Sequence, residues 1–163
     1  MSIKKAVVKQ LRGITLAAKA DTNHWVMMDG RDSSGGEGAA STPKELLLMA
    51  LGGCTSMDVI PILKKMRVKL DAFEVNLPGN AREEHPQVFT DIHIEYILYG
   101  DAIPEADVER AIELSTTKYC SVSAMLRDSV KITHSCTIHP APQPNLKTEP
   151  PIASQGSHSQ GDQ

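Results

Sequence analysis

The sequence predicts an α+β fold that combines strands, the first of them a small antiparallel meander, with one long, deeply apolar helix. Three observations predict it. Apolar residues alternate with polar ones before residue 28 and again over 70–77 and 88–99, the period of strands. Residues 46–63 are apolar on nearly every side behind a helix-start signal. A second helical stretch after Pro104 is amphipathic.

Residues 2–12 read as a first strand, with Ile3, Ala6, Val8 and Leu11 set among Lys and Gln. Gly13 turns the chain into a second strand at 14–20, and 21–23 turn it into a third at 24–28, a small antiparallel meander. Residues 29–40 hold too much Gly, Ser and Asp for regular structure. Loops of that length in a compact domain are often functional, and Arg31 is this one's cation.

The central helix follows. Ser41 or Thr42 can cap it, Pro43 suits its first position, and Glu45 places negative charge in its first turn. Leu46, Leu47, Leu48, Met49, Ala50, Leu51, Met57, Val59, Ile60, Ile62 and Leu63 surround it, so the helix is expected to be buried in a core or between subunits. Gly52 and Gly53 each cost a helix interior about 1 kcal/mol. They admit either a closely packed neighbour or a small substrate above the thiol of Cys54. Pro61 removes a helical hydrogen bond and predicts a kink. Lys64, Lys65, Arg67 and Lys69 close the helix, where cations favour the dipole.

Strands at 70–77 and 88–99 come next, with a turn or bulge at 78–80 between them. A helix begins near Pro104 and breaks at 116–123, with Cys120 opening a short third helix at 122–127 and a strand at 130–138 closing the domain. Residues 1–139 form the domain. Residues 140–163, rich in Pro, Ser, Gly and Gln, are expected to be a disordered tail, because they carry too little apolar surface to offset the entropy of ordering.

The 163 residues suit one domain. A net charge of −3 with no basic block argues against nucleic acid and anionic membranes as partners. Gly52 to Ser56 and Asp58 interrupt the longest apolar run, so no membrane span is expected, and the N-terminus lacks the apolar segment of a signal peptide. The expected location is the cytosol, where Cys54, Cys120 and Cys136 stay reduced unless a disulfide is functional.

The order of elements, together with Pro43-Lys-Glu-Leu-Leu-Leu-Met-Ala-Leu-Gly-Gly-Cys54-Thr-Ser-Met-Asp-Val59 and Lys118-Tyr-Cys120-Ser-Val-Ser123, resembles the family of osmotically inducible protein C and organic hydroperoxide resistance proteins. The resemblance covers residues 1–139. It implies an intertwined homodimer whose antiparallel sheets wrap two long central helices, with active sites at the subunit interface. The implied activity is thiol-dependent reduction of organic hydroperoxides, and more weakly of hydrogen peroxide. Cys54 would be oxidised to a sulfenic acid and Cys120 would condense with it to a disulfide. A small dithiol or lipoyl-type reductant would reopen that bond, with no metal or bound organic cofactor.

The nucleophile in such chemistry is the thiolate, and an unperturbed Cys with a pKa near 8.5 is only a few per cent ionised at neutral pH. A nearby Arg stays charged when partly desolvated and can polarise the peroxide. The family's Arg precedes the central helix and is held by a Glu at the helix start, so Arg31 and Glu45 are the candidates here, with Arg12 the runner-up. Two positions depart from the peroxidase pattern. Lys44 stands where the best-known peroxidases carry that Glu, and Ser121 stands where they carry a Pro. Both place the chain with the less characterised branch, in which the rival reading is a binding protein for small apolar or thiol ligands. Asp58 lies one helical turn from Cys54 and receives no role. His134, Cys136 and His139 do not converge on a strand, where 139 faces away from 134 and 136, so Cys136 is expected to be a packed thiol.

Overall fold

Thr42 starts the longest element, α1 (Pro43–Lys65), through a reciprocal capping box. Its Oγ1 accepts the Glu45 N–H at 3.3 Å, and the Glu45 carboxylate accepts the Thr42 N–H at 2.6 Å. The helix continues through Pro61 and ends on Lys64 and Lys65. This computed structural model describes residues 3–141, so nearly all of the tail expected at 140–163 lies outside the described residues.

Leu51, Thr55, Val59 and Leu63 recur every fourth residue, lie on one face of α1 and are fully buried. Met49, Met57 and Ile60 on other faces are exposed, as is Leu47 at the N-terminal end of the buried row. Within one chain, then, α1 is buried on one side, and its remaining apolar faces are left for the burial between subunits that was the other expectation. The membrane expectation needs correction: by length and composition α1 is apolar enough to cross a bilayer. Its polar interruptions are too few to lower the average, but its buried face packs into the protein's own core.

That core rests on the second of two sheets. In it, β4 (Ala72–Asn76) and the short β5 (Gly79–Ala81) pair antiparallel with successive halves of β6 (Phe89–Tyr99). Phe89, Ile92, Ile94, Tyr96 and Leu98 of β6 are buried, the alternation read from the sequence, and they pack with Leu51, Val59 and Leu63 of α1. On the other edge β7 (Lys131–His139) runs parallel to β6, from Asp91 opposite Lys131 to Tyr99 opposite His139. A purely antiparallel sheet was expected. The difference arises because the helices α2 (Glu105–Leu114) and α3 (Ser121–Leu126) carry the chain back to the same end of the sheet before β7 begins.

The glycines of α1 divide their work. A Cβ on Gly52 would sit 2.6 Å from Leu77 Cδ1, whereas one on Gly53 would meet nothing within 4 Å. Gly52 therefore admits the side chain that follows β4, and not a ligand above the thiol. Gly53 lines an open groove of about 610 Å³ between α1 and β4, walled by Leu48, Met49, Phe73 and Val75.

The first sheet is the expected meander of β1 (Ala6–Arg12), β2 (Thr15–Ala20) and β3 (Trp25–Met28). Every residue of β1 is exposed, as are Trp25, Val26 and Met27 of β3. The core and the residues packed against it include nothing before Leu48. This sheet thus stands outside the hydrophobic centre of its own chain.

Candidate active site

α1 and the turn between α2 and α3 bring two thiols together. Cys54 is half-buried in the middle of α1, and Cys120 is the N-cap residue of α3, only 2% exposed. Their Sγ atoms and a carboxylate oxygen of Asp58 all lie within 4.8 Å of one another. Sequence separation alone could not bring them together. The chain does so by ending α2 in a single π-helical turn, Ser115–Tyr119, after which the Cys120 N–H donates to the Ser115 carbonyl at 2.8 Å. Such wide turns recur at functional sites.

The two sulfurs have unequal surroundings. Burial pushes the Cys120 thiol up, and the neighbouring Cys54 adds to the effect. Two hydrogen bonds to Cys120 Sγ oppose it, from Ser123 Oγ at 3.1 Å and the Ser123 N–H at 3.4 Å. Cys120 is therefore held as a neutral thiol, while Cys54 is the more accessible of the two.

Behind the cysteines runs a buried chain of hydroxyls. Tyr96 Oη lies 2.5 Å from Thr55 Oγ1, Thr55 Oγ1 lies 3.0 Å from Ser115 Oγ, and Ser115 Oγ donates to Asp58 Oδ2 at 3.0 Å. A carboxylate can only accept and each hydroxyl has one hydrogen, so the donors all point toward Asp58. Burial pushes the Tyr96 hydroxyl up to about 12, with Cys120 and Asp58 adding to the shift and its bond to Thr55 opposing it. Tyr96 is thus a permanent donor at neutral pH. Sequence reading missed this chain, since Thr55, Tyr96 and Ser115 come from three elements. It did register the helical spacing of Cys54 and Asp58, which places both on one face.

The candidate activators lie elsewhere on the chain. Glu45 is engaged in the capping box, and its carboxyl is held below the usual range first by those Thr42 bonds and also by the Arg31 charge. At 1.5 Å per residue, Glu45 stands about 13 Å along the helix axis from Cys54. Arg31 is exposed, and among the described residues its side chain makes no hydrogen bond or ion pair. Arg31 and Glu45 are thus neighbours of each other and remote from the cysteines of their own chain. Arg12 pairs with the exposed Glu37 instead. Lys44 donates to the Gln87 carbonyl at 2.6 Å and lies over the Phe89 ring, away from the thiols.

The loop that carries Arg31 has an anchor the sequence reading did not single out. Buried Asp29 accepts the N–H groups of Gly30, Glu37 and Ala39, and its own N–H donates to the Ser41 carbonyl. Those bonds, with that of Ala39 foremost, lower its pKa against the effect of burial. A short 3₁₀ turn, Asp32–Ser34, forms where no regular structure was expected. A heading Asp in a Gly/Ser loop was the available signal.

Cys136 packs against the core, and its thiol is pushed up by burial, then by Glu105 and Glu109. His139 stacks on Tyr99 at 5.3 Å and does not join His134 and Cys136.

Residues 35–135 match the OsmC-like protein family. Protein YhfA of Escherichia coli (strain K12) is 43% identical over 131 residues, 80% of this chain and 95% of YhfA. A hypothetical protein from Aquifex aeolicus VF5, known from its crystal structure, is 32% identical, with a TM-score of 0.76 over 87% of this chain and 100% of its own. The organic hydroperoxide resistance protein OhrB of Bacillus subtilis shares the fold at 11% identity, with a TM-score of 0.57 over 83% of this chain and 98% of its own.

Proposed function

The chain belongs to the OsmC-like family, and from that premise we propose that it is a cytosolic thiol peroxidase that reduces organic hydroperoxides as a homodimer. The observation that carries this reading is the pairing of an accessible Cys54 with a buried, protonated Cys120 whose sulfur lies within 4.8 Å.

In the proposed reaction, Cys54 thiolate attacks the outer peroxide oxygen and the O–O bond breaks. The leaving alkoxide takes a proton and departs as alcohol, and Cys54 is left as sulfenic acid. Cys120 then attacks the Cys54 sulfur, the S–O bond breaks, water leaves and a disulfide remains. A small dithiol of the lipoyl type exchanges with that disulfide and restores both thiols. Proximity favours the second step, because the sulfurs are neighbours before oxidation begins.

Two apolar surfaces support the dimer. The first sheet exposes Val7, Val8, Trp25, Val26 and Met27 without a core of its own, and α1 exposes Leu47, Met49, Met57 and Ile60. Patches of this kind mark interfaces. A second copy laid against α1 would also supply the missing cation, if its Arg31 reached the Cys54 of the first.

The test is mass spectrometry of the reduced protein after brief exposure to cumene hydroperoxide, with Cys54→Ser and Cys120→Ser beside wild type. A Cys54–Cys120 disulfide in wild type, and sulfenic acid at Cys54 in Cys120→Ser, are the expected products. Thiols unreacted after minutes would overturn the peroxidase reading and favour a binding protein on the same fold.

A further inference from the structure

We propose that the reduced Cys54–Asp58–Cys120 cluster is a binding site for a thiophilic divalent cation, with Zn²⁺ the ion that fits. Two sulfurs and one carboxylate oxygen already lie within 4.8 Å of one another, and among the described residues no other three His, Cys, Asp or Glu side chains gather in this way. Tetrahedral zinc, with metal–sulfur bonds of about 2.3 Å and metal–oxygen bonds of about 2.0–2.2 Å, holds its ligand atoms slightly under 4 Å apart. The cluster needs only a small contraction to reach that geometry.

Its scaffold suits a ligand set. Cys54 and Asp58 are one helical turn apart on α1, and Cys120 reaches in from the start of α3. Ser115 Oγ donates to Asp58 Oδ2 at 3.0 Å, and Ser123 directs its hydroxyl and N–H at Cys120 Sγ. Hydrogen bonds of this kind to ligating atoms orient a metal's ligands and tune its affinity. A donor set of two thiolates and one carboxylate favours zinc over magnesium or calcium, and three protein ligands leave a fourth position for water.

Binding is not a redox step. Both thiols release their protons to solvent, the cation takes two thiolates and one carboxylate, and no electron moves. Because a disulfide would use both sulfurs, the metal-bound and oxidised states exclude each other. A bound cation therefore shields the pair from peroxide.

The reduced full-length protein, kept free of oxygen, is titrated with Co²⁺ as a spectroscopic stand-in for zinc. About one Co²⁺ per chain is expected, with thiolate-to-cobalt charge-transfer absorption that Zn²⁺ displaces. Cys54→Ser and Cys120→Ser should each abolish that absorption, and Asp58→Asn should weaken binding roughly tenfold or more, with circular dichroism confirming that each variant folds. In wild type, Zn²⁺ should protect Cys54 and Cys120 from alkylation while Cys136 keeps its own rate, a readout that needs no variant. Absence of the charge-transfer band, unchanged binding in Asp58→Asn, or no selective protection would overturn the proposal. Its failure is distinct from failure of the peroxidase reading, because peroxide-driven disulfide formation is measured without metal.

Discussion

Thr55→Val removes the centre of the hydroxyl chain without changing the volume of a fully buried side chain. Two hydrogen bonds vanish, to Tyr96 Oη and Ser115 Oγ. A net contribution of about 1 kcal/mol each, plus about 1–3 kcal/mol for stranding the buried Tyr96 hydroxyl, is offset by about 0.8 kcal/mol from the added methyl. The variant should be about 2–4 kcal/mol less stable. Tyr96→Phe removes the stranded group itself while Thr55 keeps its bond to Ser115, so about 1 kcal/mol is expected. In the double variant nothing is left stranded at Tyr96. The two losses should therefore fall short of additivity by about 2–4 kcal/mol, the shared hydrogen bond and the stranding cost together. Urea unfolding under reducing conditions checks this, at one fixed protein concentration because association would add to apparent stability. A Thr55→Val protein within about 0.5 kcal/mol of wild type, or strictly additive losses, would refute the chain as drawn.

Asp29 predicts acid sensitivity. Its folded pKa is lowered, so its stabilising effect is complete above the ordinary Asp range, near pH 4, and is lost as pH falls through the lowered folded value. Thermal midpoints measured through that window should fall less steeply in Asp29→Asn than in wild type, and identical slopes would contradict the assignment. The placement of Arg31 predicts complementation between chains: a mixture of Arg31→Ala and Cys54→Ser chains, refolded together, should recover peroxide-dependent disulfide formation in the Arg31→Ala chain. Mixed dimers that react no faster than Arg31→Ala alone would show that no partner arginine serves Cys54.

What the sequence disclosed was local. Thr42, Pro43 and Glu45 announce α1 within one turn, and the alternation from Phe89 to Leu98 needs only its own strand to be read. The wide turn before Cys120 was legible as a break at 116–123, where Thr116 and Thr117 now bond back to the Ile112 and Glu113 carbonyls. What stayed hidden was set by distant partners. Whether Gly52 admitted a packed neighbour or a substrate stayed open, because nothing local announces Leu77. The parallel entry of β7 depends on where two helices return the chain, not on its own residues. Asp58 was visible beside Cys54, yet its importance depends on Cys120 and Ser115, which come from another part of the chain.

The same distinction explains why the activating cation resists assignment within one chain. Glu45 stands in the first turn of α1, about 13 Å along the axis from Cys54, and Arg31 lies beside it in the loop before the helix. The first sheet lacks a core, and α1 shows apolar side chains to solvent. A second copy packed along α1 answers all three deficits at once: it covers the helix, gives the meander a surface to lie on, and carries a second Arg31. On this reading the chain's peroxide chemistry is a property of the dimer. The single chain by itself holds a dithiol beside a carboxylate, an arrangement better suited to a cation than to a peroxide.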